Sequence, residues 1–275
     1  MQLVVTADNL VAGSHFDDRA RPEDLGHLAL AVNLSDIAAM GAVPRWLILT
    51  LTLPDADPAW LNGFLDGFLG LADEHDCILV GGNITRGPLN IAVTALGETG
   101  AGQIAHRDGA RAGDSIWVTG SVGDAAAGLR DGAAPDSVLG RRLLRPTPRI
   151  RAGRALLPVA RAMIDISDGL AADLAHLLGD LGADLECPRL PTSAALRKAV
   201  PDDEQRWRLQ LSGGGDYELL FITDPDAAVP DRIADVALTR IGQVRENGTL
   251  RFETTTSPLV LKQAGWDHFG NDSGQ

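Results

Sequence analysis

The stretch Met163-Ile164-Asp165-Ile166-Ser167-Asp168-Gly169-Leu170 constrains the fold more than any other. Met163, Asp165 and Ser167 alternate with Ile164 and Ile166, the period of a short strand. Ser167-Asp168-Gly169 then turns the chain. A helix follows from Ala171 to Leu181, with apolar residues at 170, 171, 174, 177, 178 and 181 forming one stripe. Asp168 therefore stands in a strand-to-helix loop, where a carboxylate can face a ligand while strand and helix hold it still. Taken alone, it could equally cap the helix.

The same grammar recurs. Asp8 follows a strand at Leu3–Thr6, and Asp124 follows a strand at Ser115–Thr119 and the loop Gly120-Ser121-Val122-Gly123. Asp216 ends Ser212-Gly213-Gly214-Gly215 after an expected strand at Arg208–Leu211, and another strand follows it. The helix Leu25–Met40 carries Asn33 and Asp36 three apart, on one face, and stops at Gly41. Further expected elements are a strand at Trp46–Leu53, a helix at Trp60–His75, a buried strand at Cys77–Val80 and a strand at Leu89–Glu98. Gly81-Gly82-Asn83-Ile84-Thr85-Arg86-Gly87 follows Val80, with glycines for close backbone approach and Arg86 to bind an anion. A helix at Ile150–Ala162, a strand at Leu185–Leu190, a βα-like unit running to Val244 and a last strand region at Arg251–Leu261 complete the reading. The fold class is α/β (α+β) in two domains, 1–107 and 108–275, divided at the loop-rich Gly100–Gly113.

Composition removes several functions. The net charge is −13 and no basic patch or tail exists, so no nucleic-acid surface is expected. Lys198 and Lys262 are the only lysines and no G-x-x-x-x-G-K-[ST] occurs, which excludes a P-loop. Cys77 and Cys187 have neither metal spacing nor a disulfide framework. No apolar run reaches membrane-spanning length and Met1-Gln2-Leu3-Val4-Val5 lacks a signal-peptide pattern, so the expected location is the cytoplasm. No G-x-S-x-G accompanies the serines and histidines, so a hydrolase triad is poorly supported.

Asp8, Asp36, Asp124, Asp168 and Asp216 each end an apolar element beside a Gly, Ser or Asn turn. Any one of them could merely close its turn. If they converge, they must take up protons or bind cations. Mg²⁺ shared between carboxylates and phosphates is the usual answer, and it lets an acidic chain hold polyphosphate. Arg86, Arg145 and Arg149 could clamp what remains. The reaction class is phosphoryl transfer. Read from the residues alone, His15 is a structural histidine and Trp266 is either core or a stacking platform.

These motifs, in order and over nearly the whole chain, resemble the thiamine-monophosphate kinase family. The matching segments are Asp8-Asn9-Leu10-Val11-Ala12-Gly13-Ser14-His15-Phe16, Asn33-Leu34-Ser35-Asp36 with Ala38-Ala39-Met40-Gly41, Gly81-Gly82-Asn83-Ile84-Thr85-Arg86-Gly87, Gly123-Asp124, Arg145-Pro146-Thr147-Pro148-Arg149, Ile166-Ser167-Asp168-Gly169, Ser212 to Leu219, and Trp266-Asp267-His268-Phe269. The resemblance implies ATP-dependent phosphorylation of thiamine phosphate with Mg²⁺, by a homodimer whose N-terminal domains each give a sheet to one barrel. Carried over by motif, Asp8, Asp36, Asn83, Asp124 and Asp168 hold metal, with Asp168 also catalytic. Gly81, Gly82, Thr85, Arg86, Asp124, Arg149 and Ser167 contact ATP. His15, Asp216 and Trp266 contact thiamine phosphate, with Trp266 a wall for its rings.

Three departures bear on the activity. The family's leading segment ending in Gly-Asp-Asp does not precede Leu3, Asn83 stands in place of an Asp, and Gly215 in place of a Glu. An amide brings no charge to a cation, which weakens Mg²⁺ binding. Asn9 replaces a small hydroxyl residue, a milder change. An active kinase and a family member that binds without turnover both remain open on the sequence. A relative making an ATP-activated amide or selenium compound is a more distant third.

Overall fold

A computed structural model describes residues 1–17 and 19–266. Its centre is helix α1 (Pro22–Ala39), which is buried nearly all round because its residues are apolar or small on every face. Pro22 opens the helix and Glu23 and Asp24 lie in its first turn, where they complement the helix dipole. Neighbours approach the helix very closely. A Cβ on Gly26 would lie 2.0 Å from the Phe64 carbonyl oxygen, and one on Gly153 would lie 2.0 Å from that of Ala38.

On one side of α1 lies a four-stranded sheet. It is built from β1 (Gln2–Val11), β2 (Val43–Leu53), β3 (Ile78–Arg86) and β4 (Asn90–Thr99), in the order β1-β4-β2-β3. β1 and β4 pair antiparallel from Gln2↔Thr99 to Val11↔Asn90, and β2 and β3 pair parallel across α2 (Pro58–Glu74). Alternation puts Leu47, Leu49, Leu51 and Leu53 inward. The outer face keeps Leu3, Val5, Trp46, Ile48 and Ile78 exposed, Leu3 at 60% and Ile78 at 61%.

The rest of the chain builds a seven-stranded, mostly antiparallel sheet. Its strands are β5 (Ser115–Thr119), β6 (Ala160–Asp165), β7 (Gly182–Glu186), β8 (Leu219–Thr223), β9 (Arg232–Ile233), β10 (Val236–Arg245) and β11 (Leu250–Glu253), in the order β11-β7-β10-β5-β8-β6 with β9 on β10. Met163, Leu219 and Phe221 turn one face to the core around α1. Ile164, Leu220 and Ile222 turn the other to α6 (Leu170–Leu178) and α8 (Asp203–Ser212). The two sheets part between Thr99 and Ser115, the interval holding the expected boundary at 107/108.

Several sequence expectations need correction. Gly81 to Arg86 continue strand β3, which is an exposed edge and not a buried strand, because pairing with β2 overrides the strand-averse glycines and asparagine. Residues 208–211 belong to helix α8. Asp202 caps it by accepting from the Gln205 amide at 2.9 Å, and Arg206, Trp207, Gln210 and Leu211 form its buried side. The helix from Ile150 ends at Leu156 as α5, since Pro158 cannot continue it, and Ala160 already lies in β6. Residues 187–189 form a 3₁₀ turn after β7, with Pro188 inside it. Between β8 and β10 there is only β9 and no helix among the described residues. The helix expected after the Gly120–Gly123 loop is α3 (Asp124–Arg130), whereas two further short helices were not foreseen, α4 (Val138–Leu144) and α7 (Ala194–Ala199). Asp267-His268-Phe269 lies outside the described residues.

Candidate active site

Three elements bring Asp8, Asp36 and Asp168 together beside α1. Asn33 and Asp36, one turn apart on α1, both hold strand β1. Asn33 Oδ1 accepts from the Asp8 amide at 3.1 Å while its Nδ2 donates to the Ala29 carbonyl at 2.9 Å. Asp36 Oδ2 accepts from Thr6 Oγ1 at 2.5 Å. Ser35, next to Asp36, donates to Asp165 Oδ2 at 2.6 Å and so ties α1 to β6. Alternation on β6 places Asp165 on the face that looks at α1, with Met163.

The carboxylates disturb one another. Burial first, and then the charges of Asp36 and Asp168, push Asp8 up to about 6. Burial also raises Asp36, opposed by its hydrogen bond from Thr6 and by the exposed Arg107 nearby. Asp165 is fully enclosed and is raised by burial and by Asp36. Tyr217 stands among the same charges, which add to its burial in raising its hydroxyl. Its backbone takes φ +50°, strained for a residue with a side chain.

The loop carrying Asp168 is held by its own helix. The Ser167, Asp168 and Gly169 amides all donate to Asp173 Oδ2, at 3.0, 3.1 and 3.1 Å. Asp173 is itself pushed up to about 6 by burial and by Asp168, against those amides. Trp266 is half-exposed, and its amide donates to the Asp168 carbonyl of this loop at 2.9 Å.

A second polar cluster sits at the start of α3. Glu218, with no exposed surface, accepts from Thr119 Oγ1 at 2.6 Å, Arg142 Nη2 at 2.9 Å, and Arg149 Nε and Nη2 at 2.7 and 2.6 Å. Asp124 accepts from Ser121 Oγ at 2.7 Å and from Ser193 Oγ at 2.5 Å, and Ser193 also caps α7. Asp216 accepts from the Gly123 and Ala125 amides at 2.5 and 3.2 Å and is raised to about 7, chiefly by burial. Arg145 and Arg21 share the buried Asp24 at 2.5 and 2.7 Å. Thus Asp124, Asp216, Arg145 and Arg149 are engaged within the protein.

The β3 residues stand apart. Register runs Asn9↔Ala92, Ala92↔Thr50 and Thr50↔Asn83, so Asn83 lies level with β1 but three strands away, roughly 14 Å, and on the outer face. Gly81, Gly82, Thr85 and Arg86 are exposed on the same edge strand. His15 is exposed in the turn after β1, where its Nδ1 accepts from the Val11 amide at 3.0 Å.

The residues missed by sequence reasoning are Asp165, Asp173, Arg142, Ser193 and Arg107. Asp165 had a signal, its alternation with the buried isoleucines. The partners of Arg142 and Ser193 lie far along the chain and leave none. Among the described residues no three His, Cys, Asp or Glu side chains close around a common point. The Asp8, Asp36 and Asp168 set is nonetheless all-oxygen, mutually repelling and open on one side. That suits a hard cation whose remaining ligands are water and phosphate.

Residues 1–99 match the family described as AIR synthase related protein, N-terminal domain. The thiamine-monophosphate kinase of Escherichia coli O157:H7 is 45% identical over 97% of this chain and 86% of its own length. That of Aquifex aeolicus is 34% identical over 98% and 88%. The crystal structure of thiamine-monophosphate kinase from Stenotrophomonas maltophilia K279a superposes with a TM-score of 0.85 at 45% identity, covering 92% of this chain and 85% of that one. AaThiL complexed with AMPPCP and TMP gives 0.85 at 33% identity, covering 97% and 87%. Hydrogenase maturation protein HypE in complex with ATP, at 20% identity and 0.76, shares the fold. By sequence and by structure, the chain belongs to the thiamine-monophosphate kinase family.

Proposed function

We infer that the chain catalyses ATP-dependent phosphorylation of thiamine phosphate to thiamine diphosphate. The carrying observation is the convergence of Asp8, Asp36 and Asp168, from three separate elements, at one junction beside α1. Carboxylates that repel in a partly buried place are arranged for cations. Asp8, Asp36 and Asp168 would hold Mg²⁺, which when bound supplies the positive charge that offsets polyphosphate. Between them, Asn33 and Thr6 fix β1 against α1, so the carboxylates meet substrate already placed. Arg107 adds a guanidinium near Asp36 for phosphate oxygens. Trp266, tied by its amide to the Asp168 carbonyl, would give thiamine a flat wall, and His15 would contact the same substrate. Glu218 fixes Arg149 and Arg142 so that their remaining N–H groups keep one orientation. Asp124 and Asp216 build the α3 start against which ATP is read.

The same reading includes two domains, 1–107 and 108–275, and a cytoplasmic homodimer. The outer face of the first sheet exposes Leu3, Val5, Trp46, Ile48 and Ile78 together, and β3 leaves an unpaired edge. A second copy covering that face would close a barrel. It would also enlist Gly81, Gly82, Asn83, Thr85 and Arg86 at the shared boundary, for ATP phosphates and metal. The test is formation of thiamine diphosphate from thiamine phosphate and MgATP. Product is expected, abolished by chelation of Mg²⁺ and cut at least about a hundredfold by Asp168→Ala. A folded dimer that yields no product would overturn the reading.

A further inference from the structure

We propose that Asp173 is a positioning residue for the reaction, holding the Asp168 loop in its cation-binding conformation. This rests on the reading of Asp168 as a cation ligand. One oxygen, Asp173 Oδ2, collects three consecutive amides, those of Ser167, Asp168 and Gly169. The carboxylate is 2% exposed. The carbonyls of the same loop are also engaged: Ile166 by the Tyr217 amide, Ser167 by the Gly215 amide, Asp168 by the Trp266 amide and Gly169 by the Asp173 amide, at 2.8 to 2.9 Å. Every backbone polar group from the Ser167 amide to the Gly169 carbonyl therefore has one partner, which leaves the side chains of Ser167 and Asp168 to act. Gly169 takes φ +135°, a conformation that side-chain-bearing residues avoid. An ordinary cap satisfies one or two amides at a helix start. Three amides on one oxygen, two of them ahead of Gly169, fix the loop itself rather than the helix.

Groups that hold a metal's ligands in place in this way change metal affinity by roughly ten- to a hundredfold when removed. The test uses full-length protein freed of metal. Mn²⁺ binding is read by the electron paramagnetic resonance of the free ion, beside amide hydrogen exchange at 167–169 and steady-state kinetics. Asp173→Ala is expected to weaken Mn²⁺ binding by roughly tenfold or more, to speed exchange at the three amides, and to lower kcat more than it raises KM for thiamine phosphate. Asp173→Asn keeps an acceptor without the charge and should fall between Ala and the parent. Leu185→Ala, a core truncation in β7, controls for lost stability and should leave Mn²⁺ affinity unchanged. Parental Mn²⁺ affinity in folded Asp173→Ala would overturn the role. Should that variant not fold, parental affinity and exchange in Asp173→Asn would overturn it equally. Asp168→Ala runs alongside: parental Mn²⁺ affinity there would sink the ligand reading and this role with it. A loss in Asp168→Ala without one in the Asp173 variants would sink this role alone.

Discussion

Replacing Asp8 by Asn should stabilise the metal-free protein while removing its response to Mg²⁺. The Asp8 carboxyl is raised from 3.8 to about 6 by burial and by the charges of Asp36 and Asp168. A proton held more tightly by the folded state means that folding loses free energy as the group ionises. Below pH 3.8 both states are protonated and Asp8 contributes nothing. Between pH 3.8 and 6 stability falls with rising pH, and above 6 the full penalty stands. The shift corresponds to about 3 kcal/mol. Part of the side chain reaches solvent, so roughly 2 kcal/mol survives screening. An Asn keeps the shape and can donate to Asp36. In thermal melts without metal at pH 7.5, Asp8→Asn should therefore melt higher, by roughly 4 °C or more for a chain of this size. The gain should vanish near pH 3.5. Adding Mg²⁺ should raise the parent, because a ligand of the native state stabilises it, and should raise the variant much less. A variant that melts lower than the parent at pH 7.5, or gains equally at pH 3.5 and 7.5, would refute the electrostatic argument.

Glu218→Ala leaves two guanidiniums without their shared partner inside the protein, and chemical denaturation should show a loss of about 3–5 kcal/mol. Gly26→Ala puts a Cβ 2.0 Å from the Phe64 carbonyl, so α1 and α2 must separate. A soluble, fully stable variant would contradict this crossing. Asp202→Ala removes the cap of α8 and should cost about 1 kcal/mol by denaturant titration; no effect would argue against that helix start. Val5→Glu on the exposed sheet face should shift light scattering from dimer to monomer, whereas an unchanged mass would place any interface elsewhere.

The carboxylate junction was legible because its signals are local. Asp8 and Asp168 each follow an apolar strand-like run, and Asp36 shares a helical face with Asn33, so all three could be named before any contact was known. The second cluster was hidden for the opposite reason. Glu218 chooses Arg142 and Arg149 across long stretches of chain, and nothing beside any of them records the choice. Arg149 could be singled out from its neighbours, but the carboxylate that occupies it could not. Helix α8 was misread because Arg208-Leu209-Gln210-Leu211 alternates like a strand. The deciding signal lay earlier, in Asp202 with Asp203 and Glu204. Strand β3 was cut short because glycine and asparagine disfavour strands, and only the neighbouring β2 supplies the reason to continue.

Helix α1 gives the protein one further property. It is the floor of the first sheet, the ceiling of the second, and the carrier of Asn33, Ser35 and Asp36. No part of that helix can leave its place without emptying the core on both sides. Catalytic competence and the integrity of the whole chain are thus recorded by the same residues. In a denaturant series the loss of turnover should coincide with global unfolding, with no inactive folded intermediate.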